Sequence, residues 1–287
     1  MSITVFLAVL MAALLHATWN ALVKGSSDKL LNMSAVVLGH LPIALVCIAL
    51  SPIPDAASWP FLFVGIALHV GYQFALLLSY RVGDLTQVYP IARGVAPLLV
   101  AGISVFVLGV SLTALELLAV ALIGAGIISL SLVRQSDGLH NHKAAAFALL
   151  TGGFIASYSL VDGYGARAAG EASVGTALGY YGWLTIGNGI VFASIVAIKR
   201  PGVLTAIPQK AKRIFVVGGA ASFAAYALVM WSFTMAPIAL VTALRETSII
   251  FALAIGIFFL NERISVAKVL STLATIVGAV MLRFSRQ

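Results

Sequence analysis

Charge is scarce in this chain: 9% of its 287 residues are Asp, Glu, Lys or Arg, where soluble domains carry about a quarter. That deficit excludes an ordinary water-facing globular surface. Acid is scarcer than base, nine residues against seventeen, so the formal charge is +8. Cysteine is limited to Cys47, which rules out an internal disulfide and any cysteine metal site. The surplus is apolar, with 61% hydrophobic residues and a mean hydropathy of +1.09. Scarce charge and surplus hydrocarbon together describe a polytopic membrane protein.

Several chemical motifs are also missing. No HExxH zinc pattern and no His or carboxylate cluster with metal-ligand spacing occurs. There is no GxSxG nucleophile elbow and no GxxxxGK[ST] phosphate loop, so this chain holds no ATP site of its own. Gly83-Asp84 lacks both the GxG context and the second intramembrane aspartate of an aspartyl protease. The expectation is a non-enzyme without cofactor or resident metal. Nucleic acid is excluded as a partner despite the positive charge, because the basic residues sit at helix ends and are not interleaved with aromatics on a polar surface. The first apolar stretch has no Lys or Arg before Lys24 and contains His16, Trp19 and Asn20, a poor fit to a cleaved signal peptide.

A membrane-crossing helix takes about 20 apolar residues. Charge, Pro and Gly divide the chain into ten such stretches, at 3–23, 30–50, 60–80, 86–109, 113–133, 144–166, 173–198, 213–235, 238–260 and 265–284. The fold class expected is an all-α membrane protein. Phe63 to Gln135 aligns without a gap on Phe215 to Gln287, an offset of 152 positions that superimposes Arg93 on Arg245, Gly126 on Gly278, Arg134 on Arg286 and Gln135 on Gln287. The chain thus reads as two five-helix repeats, 1–135 and 144–287. An odd number of helices per repeat makes the second enter the membrane from the opposite face, an inverted-topology repeat.

Basic residues concentrate in the connections after helices 1, 3, 5, 7 and 9. The repeat-equivalent loops differ most: Ser51 to Trp59 has no Lys or Arg, whereas Lys199 to Arg213 has five. The positive-inside bias then leaves both termini non-cytoplasmic in a bacterial-type inner membrane, although Arg283 and Arg286 pull the other way.

Arg93 and Arg245 each lie inside an apolar span, where a guanidinium costs roughly 2.5 to 3.5 kcal/mol on insertion scales. Such residues usually mark a substrate path; the competing explanation is an arginine satisfied by backbone carbonyls. At 1.5 Å per residue each sits about 10 Å from its helix start, and inversion would place one cation on either side of the midplane, one for each gate. Polar stripes accompany them: His16, Trp19, Asn20 and Lys24 on helix 1, His69, Tyr72, Gln73 and Tyr80 on helix 3, Tyr89 with Arg93 on helix 4, and Thr151, Tyr158 and Asp162 on helix 6. Such stripes avoid lipid and either line a cavity or hold helices together through hydrogen bonds. Pro90 and Pro97 remove backbone donors from helix 4, and Gly152-Gly153 and Gly218-Gly219 suit close approach or bending. Small residues at Ala121, Ala125 and Ser129, and at Ala274 and Gly278, suit close packing inside a monomer or across a homodimer.

The ten-helix inverted plan, with Trp19-Asn20 in the first helix and Leu260-Asn261-Glu262-Arg263 after the ninth, resembles the EamA-type branch of the drug/metabolite transporter superfamily. The first half departs from that pattern at Gly109-Val110, where the acidic turn residue is missing. His16-Ala17-Thr18-Trp19-Asn20 together with Tyr89-Pro90-Ile91-Ala92-Arg93-Gly94 is similar to a subgroup associated with phosphonates. The resemblance implies a secondary carrier of small molecules. Helix 1 lacks the membrane-embedded glutamate of the small multidrug relatives, which disfavours lipophilic cations. Two arginines favour a carboxylate, phosphate or phosphonate, while Glu246 and Asp162 would bind an ammonium or carry a coupling proton. The expected substrate is therefore a small organic anion or zwitterion moved by alternating access. Arg93, Arg245, His16, Trp19, Asn20, His69, Gln73, Tyr89, Tyr158 and Glu246 would form its site, and Lys24 and Asp162 would gate or couple. A multidrug exporter and a lipid-linked flippase are the alternatives.

Overall fold

A computed structural model of the chain describes residues 1–24, 28–82, 85–132, 142–260 and 265–285, excepting the side chains at 24, 85–87, 132 and 259–260. Every regular element among these residues is helical, and ten stretches are long and apolar enough to cross a bilayer. A single helix crossing hydrocarbon must satisfy its backbone internally, and the α-helix does so within one segment.

The ten spans match the apolar periodicity, but three are not uniform helices. The second consists of α2 (Lys29–Gly39) and α3 (Leu41–Leu50), which meet at His40. Pro42 lies in the first turn of α3, where its missing N–H leaves no bond unmade. The eighth opens with a π-helical turn at Ile214–Gly218 before α10 (Gly219–Met235). The ninth divides into α11 (Ile238–Arg245) and α12 (Ser248–Leu260). At that junction the amides of Glu246 and Thr247 bond to Ala243 O (3.1 Å) and Leu244 O (3.0 Å), three residues back instead of four. The other spans are α1 (Ile3–Lys24), α4 (Trp59–Val82), α5 (Leu85–Phe106), α6 (Ala114–Leu132), α7 (His142–Ala168), α8 (Val174–Lys199) and α13 (Val266–Phe284), with the short α9 (Ile207–Lys210) between α8 and α10. Helix α5 runs through Pro90 and Pro97 without a break.

Local caps start several of these helices. Asp28 Oδ1 accepts from Leu31 N (2.9 Å) and Ser173 Oγ from Thr176 N (3.0 Å), the side-chain replacement for absent intrahelical partners. Before α6, Thr113 N donates to Glu116 Oε2 (2.8 Å) and Glu116 N to Thr113 Oγ1 (3.2 Å), a reciprocal capping box. Glu116 is fully buried, and Ser285 Oγ donates to its other oxygen at 3.3 Å.

The contacts divide the chain into two compact units. The first comprises Met1–Leu10, Gly71–Leu160 and Ala236–Gln287; within it α6 packs on α5 and α13, and α11 packs on α5, α6 and α13. Helices α5 and α6 approach closely where two glycines face each other. A Cβ on Gly94 would stand 2.7 Å from Gly124 O, and one on Gly124 would stand 2.8 Å from Gly94 O. Gly126 meets Ala274, and Gly278 meets Ile123 and Ala119 O, so small residues on α6 and α13 serve contacts within the chain. The second unit comprises Met11–Val70 and Val161–Met235; within it α3 packs on α8, and α2 packs on α8, α9 and α10. There Ile207 and Ala211 seat the α8–α10 connection against Leu31 and Ala35 of α2.

Candidate functional site

In the first unit, α5 and α11 bring together the intramembrane charges anticipated from the sequence. Arg93 Nε lies 2.8 Å from Glu246 Oε2, and Arg245 Nε lies 3.8 Å from Glu246 Oε1. Both arginines and the carboxylate are buried, at 6%, 4% and 1% relative exposure. Arg93 Nη2 also donates to Ser248 Oγ (3.1 Å), and its guanidinium stands 5.8 Å from the Tyr89 ring centroid, one helical turn earlier. Tyr72 and Tyr158 stack edge-to-face at 5.4 Å and lie within electrostatic reach of Arg93. Buried Gln73 in the same unit has an amide oxygen without a hydrogen-bond partner.

The tightened turn at 246–247 holds the Glu246 carboxylate near its neighbour Arg245. One expectation needs correction here: spacing suggested one guanidinium for each gate, whereas both lie against one carboxylate. For Arg93 the resident counter-charge is Glu246 and not a backbone carbonyl.

A second ionic cluster lies in the second unit, formed by α4, α7 and α10. Fully buried Asp162 receives both of its hydrogen bonds on one oxygen, Oδ2: His69 Nε2 at 2.7 Å and Tyr226 OH at 2.6 Å. Its Oδ1 has no hydrogen-bond partner. That oxygen faces Gly65, where an added Cβ would come within 2.9 Å of it, so the glycine leaves room for the carboxylate. Tyr226 was not singled out from the sequence; among the residues one turn away only Ser222 is polar, and a small hydroxyl does not mark a stripe in an apolar run. Ser248 was missed as one of two adjacent hydroxyls, with Thr247, at the opening of an apolar helix.

The helix 1 stripe satisfies itself in part. Trp19 Nε1 donates to His16 Nδ1 (3.3 Å), Asn20 Nδ2 to His16 O (2.8 Å), and the His16 and Trp19 rings meet edge-on at 5.2 Å. Thr151 and Ser79 share a hydroxyl contact at 3.0 Å between α7 and α4. The Lys24 side chain and residues 261–263, with Glu262, lie outside what is described. His40, at the α2–α3 junction, packs edge-on to Phe223 at 6.0 Å and its Nε2 has no hydrogen-bond partner. No group of three or more His, Cys, Asp or Glu with metal-binding geometry occurs among the described residues.

Comparisons with known proteins agree with this architecture. The model of the EamA-like transporter family matches residues 143–284. No curated protein matches the chain. A crystal structure described only as that of a protein superimposes with a TM-score of 0.74, covering 99% of each chain at 16% identity, a likeness of fold alone.

Proposed function

We propose, from the premise that residues 143–284 of this chain belong to the EamA-like transporter family, that the protein is a secondary carrier for a small organic anion or zwitterion. Membership and the ten apolar helices make it a multi-pass membrane transporter of the drug/metabolite type. The substrate and the mechanism are our reading. Alternating access between two inverted five-helix repeats, 1–135 and 144–287, suits the matched arginine positions.

One observation carries the substrate class: Arg93, buried in a membrane span, is held by a carboxylate of the protein itself. Glu246 then occupies the place that a substrate carboxylate or phosphonate would take, and binding exchanges one anion for another on the same guanidinium. Exchange avoids leaving a bare cation in a low-dielectric site, which costs several kcal/mol. A zwitterion gains a second anchor. Its ammonium would find the released Glu246 and the unpartnered Gln73 oxygen, both acceptors that otherwise lack a full set of bonds. Tyr89, Tyr72 and Tyr158 would wall the site. Purified protein screened by thermal shift against amino acids, phosphonates and phosphorylated metabolites should be stabilised by about 2.7 kcal/mol for a ligand at 100 times its dissociation constant. In proteoliposomes Arg93→Ala and Arg245→Ala should each abolish flux of the hit compound, and normal flux in both variants defeats the assignment.

The buried carboxylate also supports a second reading, a cation or multidrug exporter. There Glu246→Gln would eliminate transport of lipophilic cations while the arginine variants kept it.

A further inference from the structure

Among the described residues, Glu246 and Asp162, both buried well inside membrane spans, stand in opposite electrostatic circumstances. Glu246 faces arginines, which keep their charge at every physiological pH. Its negative charge is therefore compensated without help from a proton. Asp162 has His69 as its ion-pairing partner, a side chain whose charge depends on a proton. When the imidazole is neutral, a whole negative charge stands in a fully buried position inside a membrane span. When the pair holds one more proton, as imidazolium and carboxylate or as imidazole and carboxylic acid, the cluster is electrically neutral.

We propose that Asp162, with His69 and Tyr226, is a proton-binding site of this protein, and that Glu246 is not. The groups around Asp162 fit the assignment from each packed element. Helix α4 presents His69, and Gly65 beside the unpartnered oxygen. Helix α10 presents the Tyr226 hydroxyl. Helix α8 presents Leu184 near Oδ1, Tyr180 within electrostatic reach, and Tyr181, whose ring lies 5.4 Å from that of Tyr226. On α7 itself the nearest fixed cation in sequence, Arg167, is engaged elsewhere: its Nε donates to Phe233 O at 2.8 Å and its guanidinium sits over Tyr164. His40, packed edge-on to Phe223, is a second imidazole within electrostatic reach of His69. His69 is the partly exposed member of the pair, its side chain 15% accessible against none for Asp162, and so is the entry point for the proton. Tyr226 holds Oδ2 through either protonation state because a phenol donates to a carboxylate and to a carboxylic acid carbonyl alike.

Asp162, His69 and Tyr226 all belong to the second compact unit. Proton binding there does not depend on which substrate is carried; only a role in driving transport rests on the carrier reading. A proton held there would make the coupling ion H⁺ in place of Na⁺.

An apolar carbodiimide, dicyclohexylcarbodiimide, tests the difference between the two carboxylates. The reagent adds a carboxyl oxygen to its central carbon and the accompanying proton to one nitrogen, so the reaction consumes one carboxylate and one proton and rearranges to a stable N-acylurea of unchanged composition. Purified full-length protein in phosphatidylcholine nanodiscs is treated across about pH 8 to 6, the range in which imidazole changes charge, and adducts are mapped by peptide mass spectrometry. The expected result is an adduct at Asp162 that grows about tenfold per pH unit on the alkaline limb, with Glu246 unmodified in the same sample. The unmutated protein thus carries its own control. Asp162→Asn should remove the adduct, and His69→Gln, which keeps a donor for Oδ2 but cannot change charge, should alter the pH profile. Absence of the Asp162 adduct, equal labelling of Glu246, or an unaltered profile in His69→Gln overturns the proposal. Carbodiimide labelling as expected with no flux of any anion would defeat the carrier reading and leave the proton site standing.

Discussion

At the scale of residues, the Arg93–Glu246 pair has a stability consequence separable from transport. Removing one member of a buried ion pair leaves the other charge uncompensated, commonly at about 3 to 5 kcal/mol, whereas replacing both by apolar groups of similar size is often neutral. Arg93→Met alone should therefore lower the thermal midpoint markedly, and Arg93→Met combined with Glu246→Leu should recover most of the loss while remaining unable to move substrate. A thermal-unfolding double-mutant cycle in one detergent measures this, and additive losses would show that the two side chains do not share their charge compensation. Much of the site was legible at this scale. A guanidinium or carboxylate within an apolar span stands out because it is expensive, and Arg93, Arg245, Glu246 and Asp162 were all marked for that reason. Ser248 was not, because a serine hydroxyl in a membrane helix is cheap: it can donate to the carbonyl one turn back, as Ser79 Oγ does to Ala75 O at 2.7 Å. Tyr226 was not, because a tyrosine is mostly hydrocarbon and its one hydroxyl does not stand out in an apolar run.

At the scale of elements, the positions of the spans could be read directly and their internal breaks could not. Span 113–133 becomes α6 (Ala114–Leu132) because hydropathy is a local, additive property. No Gly or Pro stands where 238–260 divides, at Glu246-Thr247; the division accompanies Thr247 Oγ1 bonding to Leu244 O (2.7 Å) and the Glu246 carboxylate held between two arginines. The two prolines of α5 point the other way, since the helix continues through both. Packing between elements gives a further expectation. Gly94→Ala would force a methyl against Gly124 O and Ile128, in a contact of backbone against backbone that cannot yield easily. Overpacking of this kind costs about 1 to 3 kcal/mol, so Gly94→Ala should lower the unfolding temperature, whereas Gly153→Ala, where an added Cβ meets nothing within 4 Å, should leave it nearly unchanged. Equal behaviour of the two variants would contradict the close α5–α6 contact.

At the scale of the whole molecule, the loops define an orientation that can be measured. The connection from Lys199 to Arg213 is held against α2 through Ile207 and Ala211 and exposes Lys199, Arg200, Lys210, Lys212 and Arg213. The equivalent loop from Ser51 to Trp59 carries no basic residue. The positive-inside bias predicts that the first faces the cytoplasm and the second does not. In a Cys47→Ser background, Gln209→Cys should react with a membrane-impermeant maleimide only after the membrane is opened, and Ala57→Cys should react in intact cells; the reverse pattern would turn the protein over.

Composition and periodicity alone establish that this chain is a ten-span helical membrane protein with a few costly charges, because the demand of hydrocarbon for internally bonded backbone acts on each segment separately and is written in each segment's own residues. Which charge meets which was decided by packing. Arg93 and Glu246 are far apart along the chain, as are His69, Asp162 and Tyr226, and their pairing follows from how α5 lies on α11 and how α4, α7 and α10 meet. That arrangement sets one buried carboxylate against permanent cations and the other against a histidine, a distinction that depends on distances of 2.7 to 3.8 Å and that no local run of residues contains.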